Sequence, residues 1–189
     1  MGITLILLGI CVVALIYTVS LYNNLVSLKH AVSKAWANID VLLKQRHDEL
    51  PKLVEVCKQY KQFEQETLQR VITARSQVQM AREGQDVEAL GKAEGAMRAS
   101  LGGLFAVAEA YPELKANQNF MQLQTRITGL ENGIADRREL YNDSVNIYNV
   151  GIEQFPAVLI ANMFAYAAKP LLEFSTAEKT DVDMKALFN

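Results

Sequence analysis

From Ile3 to Tyr22 (ITLILLGICVVALIYTVSLY) the chain is almost unbrokenly apolar, and from Leu25 onward apolar and polar residues alternate with the period of a helix. The first stretch holds 20 residues, and no charged side chain precedes Lys29. As a helix it spans about 30 Å, the thickness of a bilayer's hydrocarbon core. Ile3, Leu7, Val12 and Leu15 would face lipid, with Tyr17 and Tyr22 toward the end where aromatic rings sit among headgroups. A cleaved secretory signal fits less well, because the apolar run is long and lacks a basic n-region. Ile10-Cys11 is a poor lipobox, and a buried core helix is rarely so free of polar residues.

Beyond the span, Leu25, Leu28, Val32, Ala35, Ile39 and Leu42 step by threes and fours, one face of a helix, widened by Trp36 and Leu43. Nothing between Tyr22 and Glu49 stops it, so the membrane helix is expected to run into the first domain helix. Pro51 removes a backbone donor and biases Leu50 away from helical geometry. The pattern favours a turn at 47–50, giving helices over 22–48 and 51–82; one long helix kinked at Pro51 is the alternative. Gly84 reads as a C-cap and Asp86 as the N-cap of a third helix.

That third helix has a face of small residues, Ala89, Ala93, Ala96, Ser100, Gly103, Val107 and Ala110, beside a bulky stripe of Leu90, Met97, Leu101, Leu104 and Ala108. Such a face lets another helix approach closely, inside the domain or in a second copy. Pro112 opens a fourth helix that runs to about Val150 and ends at Gly151 and Pro156. The fold expected is all-α: an N-terminal transmembrane helix continuing into an antiparallel up-and-down four-helix bundle, with a short apolar C-terminal helix. Its parts are an anchor over 1–22, a bundle over 23–174 and a polar tail over 175–189. Phe155, Leu159, Phe164 and Leu171 mark the apolar C-terminal segment as a candidate for membrane-surface contact.

Charge adds orientation and excludes one class of partner. The net charge of −2 offers nothing for nucleic acid. Lys29, Lys34, Lys44 and Arg46 follow the span against a single acid, Asp40. The positive-inside rule then favours an outer N-terminus and a cytoplasmic bundle, the opposite orientation remaining open. No motif for metal, phosphate or nucleophilic chemistry occurs: the two histidines are seventeen residues apart, and the two cysteines, Cys11 and Cys57, read as apolar thiols. No enzyme activity and no cofactor are expected. His47-Asp48-Glu49 reads as a solvated cluster at a helix end, and Arg70 and Arg75 as surface ion-pair partners. The unusual polar feature is Tyr141-Asn142 repeated as Tyr148-Asn149. The spacing aligns Asn142, Asn146 and Asn149 as a stripe suited to fixing helix register.

These residues resemble a known family. Tyr22-Asn23, Ala35-Trp36, Ile39-Asp40-Val41, Arg46, Leu50-Pro51, Tyr111-Pro112, Leu114-Lys115-Ala116-Asn117, Glu131-Asn132, Arg138, the two Tyr-Asn pairs and Phe155-Pro156 are similar to the signature of the LemA family, from Tyr22 to about Phe174. Arg137 departs from it, where a small residue is more usual. The resemblance implies bacterial origin and a four-helix bundle on an N-terminal span, with the N-terminus outside. It supplies no reaction. One branch of the family belongs to magnetosome membranes and members often accompany membrane metalloproteases. The role expected is therefore a self-associating scaffold of the inner membrane, with an adaptor or sensor for another membrane protein as the alternative. The partners expected are a second copy of the chain, the lipid bilayer and, in the alternative, that other protein.

Overall fold

The computed structural model describes residues 1–60 and 62–173; the expected polar tail over 175–189 lies outside the described residues. Every regular element among them is a helix: α1 (Gly2–Lys58), α2 (Gln65–Glu83), α3 (Val87–Ala108), α4 (Pro112–Lys115), α5 (Gln118–Glu153) and α6 (Ala157–Met163). As expected from the uninterrupted pattern, the apolar N-terminal stretch continues into the domain within α1. Residues 1–20 are exposed in the isolated chain, and α1 contains a segment long and apolar enough to cross a membrane.

The turn expected at 47–50 does not form. α1 passes through Pro51 to Lys58, and the helix expected over 51–82 is α2, which starts only at Gln65. Two things make the proline tolerable. Leu50, Leu53, Val54 and Cys57 continue the buried stripe of Ile39 and Leu43, so stopping the helix would expose a finished apolar face. The carbonyl that Pro51 leaves without its helical donor is that of His47, four residues back. Arg75 of α2 donates to it from Nε at 3.0 Å. His47-Asp48-Glu49 is accordingly not a solvated helix end, and Arg75 is not a surface ion-pair partner; Arg70 is one, with Glu66.

The expected fourth helix is split. α4 is a single turn, and Asn117 then caps α5, its Oδ1 accepting from the backbone N–H groups of Asn119 at 2.9 Å and Phe120 at 3.2 Å. Asp86 caps α3 as expected, accepting from the N–H of Ala89, and Gly84 follows α2. Gly151 does not end α5, which runs to Glu153. A Cβ at Gly151 would stand 2.6 Å from Leu28 Cδ1, so the glycine permits close approach to α1.

The chain divides into two compact units. The first comprises Met1–Asn38 and Arg137–Leu171; the second comprises Ile39–Asp136 with Leu172 and Glu173. In the first, Leu25 and Val32 of α1 are buried with Tyr141, Val145, Tyr148 and Ile152 of α5 and Ala157, Ile160 and Ala161 of α6. In the second, the core draws on Ile39 to Cys57 of α1, Leu68 to Val78 of α2, Leu90 to Leu104 of α3, and Phe120, Ile127 and Ile134 of α5. There α2 and α3 pack directly against each other.

Candidate functional site

In the first unit, the apolar N-terminal stretch ends at Tyr22, and the ring of Phe164 lies 4.8 Å from it, centroid to centroid. α6 turns Ala157, Ile160 and Ala161 inward. Phe155, Leu159 and Met163, spaced by four, face outward and stay exposed, as do Phe164 and Leu171. The four apolar residues singled out from the sequence therefore lie on the surface, with Phe164 beside the end of the apolar stretch. After α6 the chain is non-helical from Tyr166 to Leu172.

That non-helical segment is what the repeated Tyr-Asn pairs of α5 hold. Tyr148 donates its hydroxyl to the Ala167 carbonyl at 3.0 Å, and Tyr141 donates to that of Pro170 at 3.2 Å. Asn149 makes two bonds to Lys169: its amide donates to the carbonyl at 3.0 Å, and its Oδ1 accepts from the backbone N–H at 2.9 Å. These hydroxyls and amides thus meet backbone groups that need external partners because they make no helical bonds. Burial pushes the Tyr141 hydroxyl above its ordinary pKa, and Tyr148 likewise, with Tyr166 nearby adding to the effect. The Asn stripe is not uniform: Asn149 is bonded as above, Asn142 is half-buried and Asn146 is exposed.

The same stretch carries a small hollow of about 450 Å³, lined by Tyr22, Lys29, Tyr148, Phe164 to Ala168, and Lys169. Lys29 Nζ stands 5.8 Å from the Tyr166 ring centre and Lys169 Nζ stands 5.9 Å from that of Tyr148. Among the described residues no acid lines it.

In the second unit, three charged side chains occupy positions in the apolar stripes. Arg46 is 1 % exposed and its guanidinium reaches both Glu94 and Glu131, with Nη1 to Glu94 Oε2 at 2.9 Å. Burial alone would lower the Arg46 pKa, but Glu94 and Glu131 outweigh it, so the guanidinium is held above its ordinary value. Burial pushes the Glu94 carboxyl up against the pull of Arg46, with Glu131 adding to the push. The two shifts agree physically: one cation serves two carboxylates, so it stays charged while one acid takes a proton readily. Sequence reasoning missed this layer, though a signal was present. Each charge replaces an apolar residue in its own stripe: Leu43, Arg46, Leu50; Leu90, Glu94, Met97; Ile127, Glu131, Ile134.

Nearby, Glu49 is buried and pairs through Oε1 with Arg126 at 2.8 Å and Lys52 at 3.2 Å, while its buried Oε2 has no hydrogen-bond partner among the described residues. It lines a groove of about 600 Å³ with Gln45, Asp48, Lys52, Arg126, Gly129 and Leu130. The small-residue face of α3 is mostly outward. Ala96, Gly103 and Ala110 are exposed, Ala89, Ser100 and Val107 are half-buried, and only Ala93 is buried. A Cβ at Gly102 or Gly103 would meet nothing within 4 Å. Gly91 is different: a Cβ there would collide with the Glu173 carbonyl oxygen, so the glycine admits the backbone that follows Leu172. Among the described residues no group of three or more His, Cys, Asp or Glu is placed to hold a metal ion.

Comparison with known proteins adds the following. The model of the LemA family matches residues 35–185. Protein LemA of Metamycoplasma hominis is 27% identical over 169 residues, covering 88% of this chain and 75% of that protein. Magnetosome protein MamQ 2 of Paramagnetospirillum magneticum is 30% identical over 101 residues, 53% of this chain. Magnetosome protein MamQ of Magnetospirillum gryphiswaldense is 35% identical over 69 residues, 36% of this chain. The chain spans 37% and 25% of the lengths of these two magnetosome proteins.

Proposed function

Given that the chain belongs to the LemA family, we propose that it is a membrane-anchored, self-associating scaffold of the bacterial inner membrane without catalytic activity. The observation that carries self-association is the uncovered glycine face of α3. Gly102 and Gly103 each cost about 1 kcal/mol of helix propensity relative to alanine, and among the described residues no neighbour packs against them to offset it. A helix of a second copy, laid along Ala96, Ser100, Gly103 and Val107, would supply that packing. In this reading α1, α2, α3 and α5 form an antiparallel up-and-down four-helix bundle. The basic flank of Lys29, Lys34 and Lys44 supports an outer N-terminus and a cytoplasmic bundle.

A second reading, an adaptor for another membrane protein, is favoured by the Glu49 groove, whose buried carboxylate oxygen would accept from a cationic side chain of a partner. Native mass spectrometry of the full chain from mild detergent separates the two. Whole multiples of the chain mass are expected, and Gly103→Leu should shift them toward monomer. Strictly monomeric particles overturn the scaffold reading, and masses that exceed whole multiples by a constant protein partner support the adaptor.

A further inference from the structure

We propose that the hollow bounded by Tyr22, Lys29, Tyr148, Phe164, Tyr166 and Lys169 seats the phosphate of an anionic phospholipid. The proposal rests on the membrane-anchored reading of residues 3–22. Four features of the first unit converge on it. First, the hollow begins where the apolar span ends, because Tyr22 is both the last residue of that span and part of the lining. Second, Lys29 follows Tyr22 by seven residues, an axial rise of about 10 Å. The headgroup layer beyond the hydrocarbon is about 5–8 Å deep, and a lysine stem reaches back roughly 6 Å, so the ammonium falls among the phosphates.

Third, the charge is one-sided. Two lysines line the hollow and, among the described residues, no acidic residue does, which is the complement of a phosphodiester. Both lysines lie over tyrosine rings, Lys29 over Tyr166 and Lys169 over Tyr148. Fourth, the wall is held in place. Tyr148 bonds the Ala167 carbonyl, and Asn149 fixes the Lys169 backbone from both sides, so the second lysine is presented by a segment pinned to α5. The ring pair of Tyr22 and Phe164 supplies an apolar floor on which the glycerol and upper acyl chain would rest.

Phosphate itself could come from a lipid or from solution, and the test separates the two. The full chain is reconstituted in nanodiscs or mild detergent with phosphatidylglycerol and phosphatidylcholine in equal amounts, and retained lipid is read by native mass spectrometry. Phosphatidylglycerol should be retained preferentially, and Lys29→Gln with Lys169→Gln should lower that preference roughly tenfold or more. Lys29→Arg with Lys169→Arg should restore it, with unchanged helicity by circular dichroism in all three. Equal retention of the two lipids, or an undiminished preference in the glutamine variant, overturns the proposal. Displacement of phosphatidylglycerol by millimolar inorganic phosphate assigns the hollow to a soluble anion and also overturns it. A chain that fails to enter nanodiscs at all sinks the anchor reading first, and the proposal with it.

Discussion

Arg46 and its two carboxylates show how much one residue can commit a helical core. Taking Arg46 away would leave Glu94 buried without its cation, so Arg46→Ala should destabilise the domain by about 3–5 kcal/mol in urea unfolding. Replacing Glu94 by Gln is a different experiment, because Gln mimics the protonated acid. The Glu94 pKa is raised in the folded chain, so its favourable contribution is present below the ordinary carboxylate range and is lost as pH rises through the folded value. The stability of the native chain relative to Glu94→Gln should therefore fall as pH is raised across that window. A flat or rising difference would show that Arg46 outweighs burial at Glu94.

For the elements, the decisive position is Pro51. α1 survives it because Arg75 supplies the donor that the proline lacks, a bond that joins α2 to α1. Arg75→Leu should cost about 1–3 kcal/mol in the native background, since it orphans the His47 carbonyl. In a Pro51→Ala background the alanine provides a helical N–H of its own, and the same change should cost less. A double-mutant cycle should give a coupling energy of about 1 kcal/mol; additive costs would remove the argument. The Tyr-Asn repeat works in the same way on the C-terminal segment, whose non-helical backbone takes its bonds from Tyr141, Tyr148 and Asn149.

At the level of the whole molecule, the proposed membrane anchoring depends on the apolar N-terminal stretch of α1. Val12→Arg with Leu15→Arg would place two charges near the middle of the span, at about 2.5–3.5 kcal/mol each. The variant should move from the carbonate-resistant membrane pellet to the soluble or aggregated fraction, while the native chain stays in the pellet. Retention of the variant in carbonate-washed membranes would count against a spanning helix and in favour of surface attachment.

The sequence by itself determined the apolar stretch, the continuity from it into the first domain helix, and the caps at Gly84 and Asp86. These depend on local periodicity, or on groups that bond within one turn, and neighbouring residues are enough to decide them. Only the tertiary structure decided the passage through Pro51, the charged layer and the partner of the Tyr-Asn pairs. At Pro51 the local cost is met by a donor 24 residues further on. Arg46, Glu94 and Glu131 lie on three separate helices, and their place in each apolar stripe makes sense only once the three stripes face one another. Sequence spacing marks which groups must be satisfied; the fold alone brings the group that satisfies them.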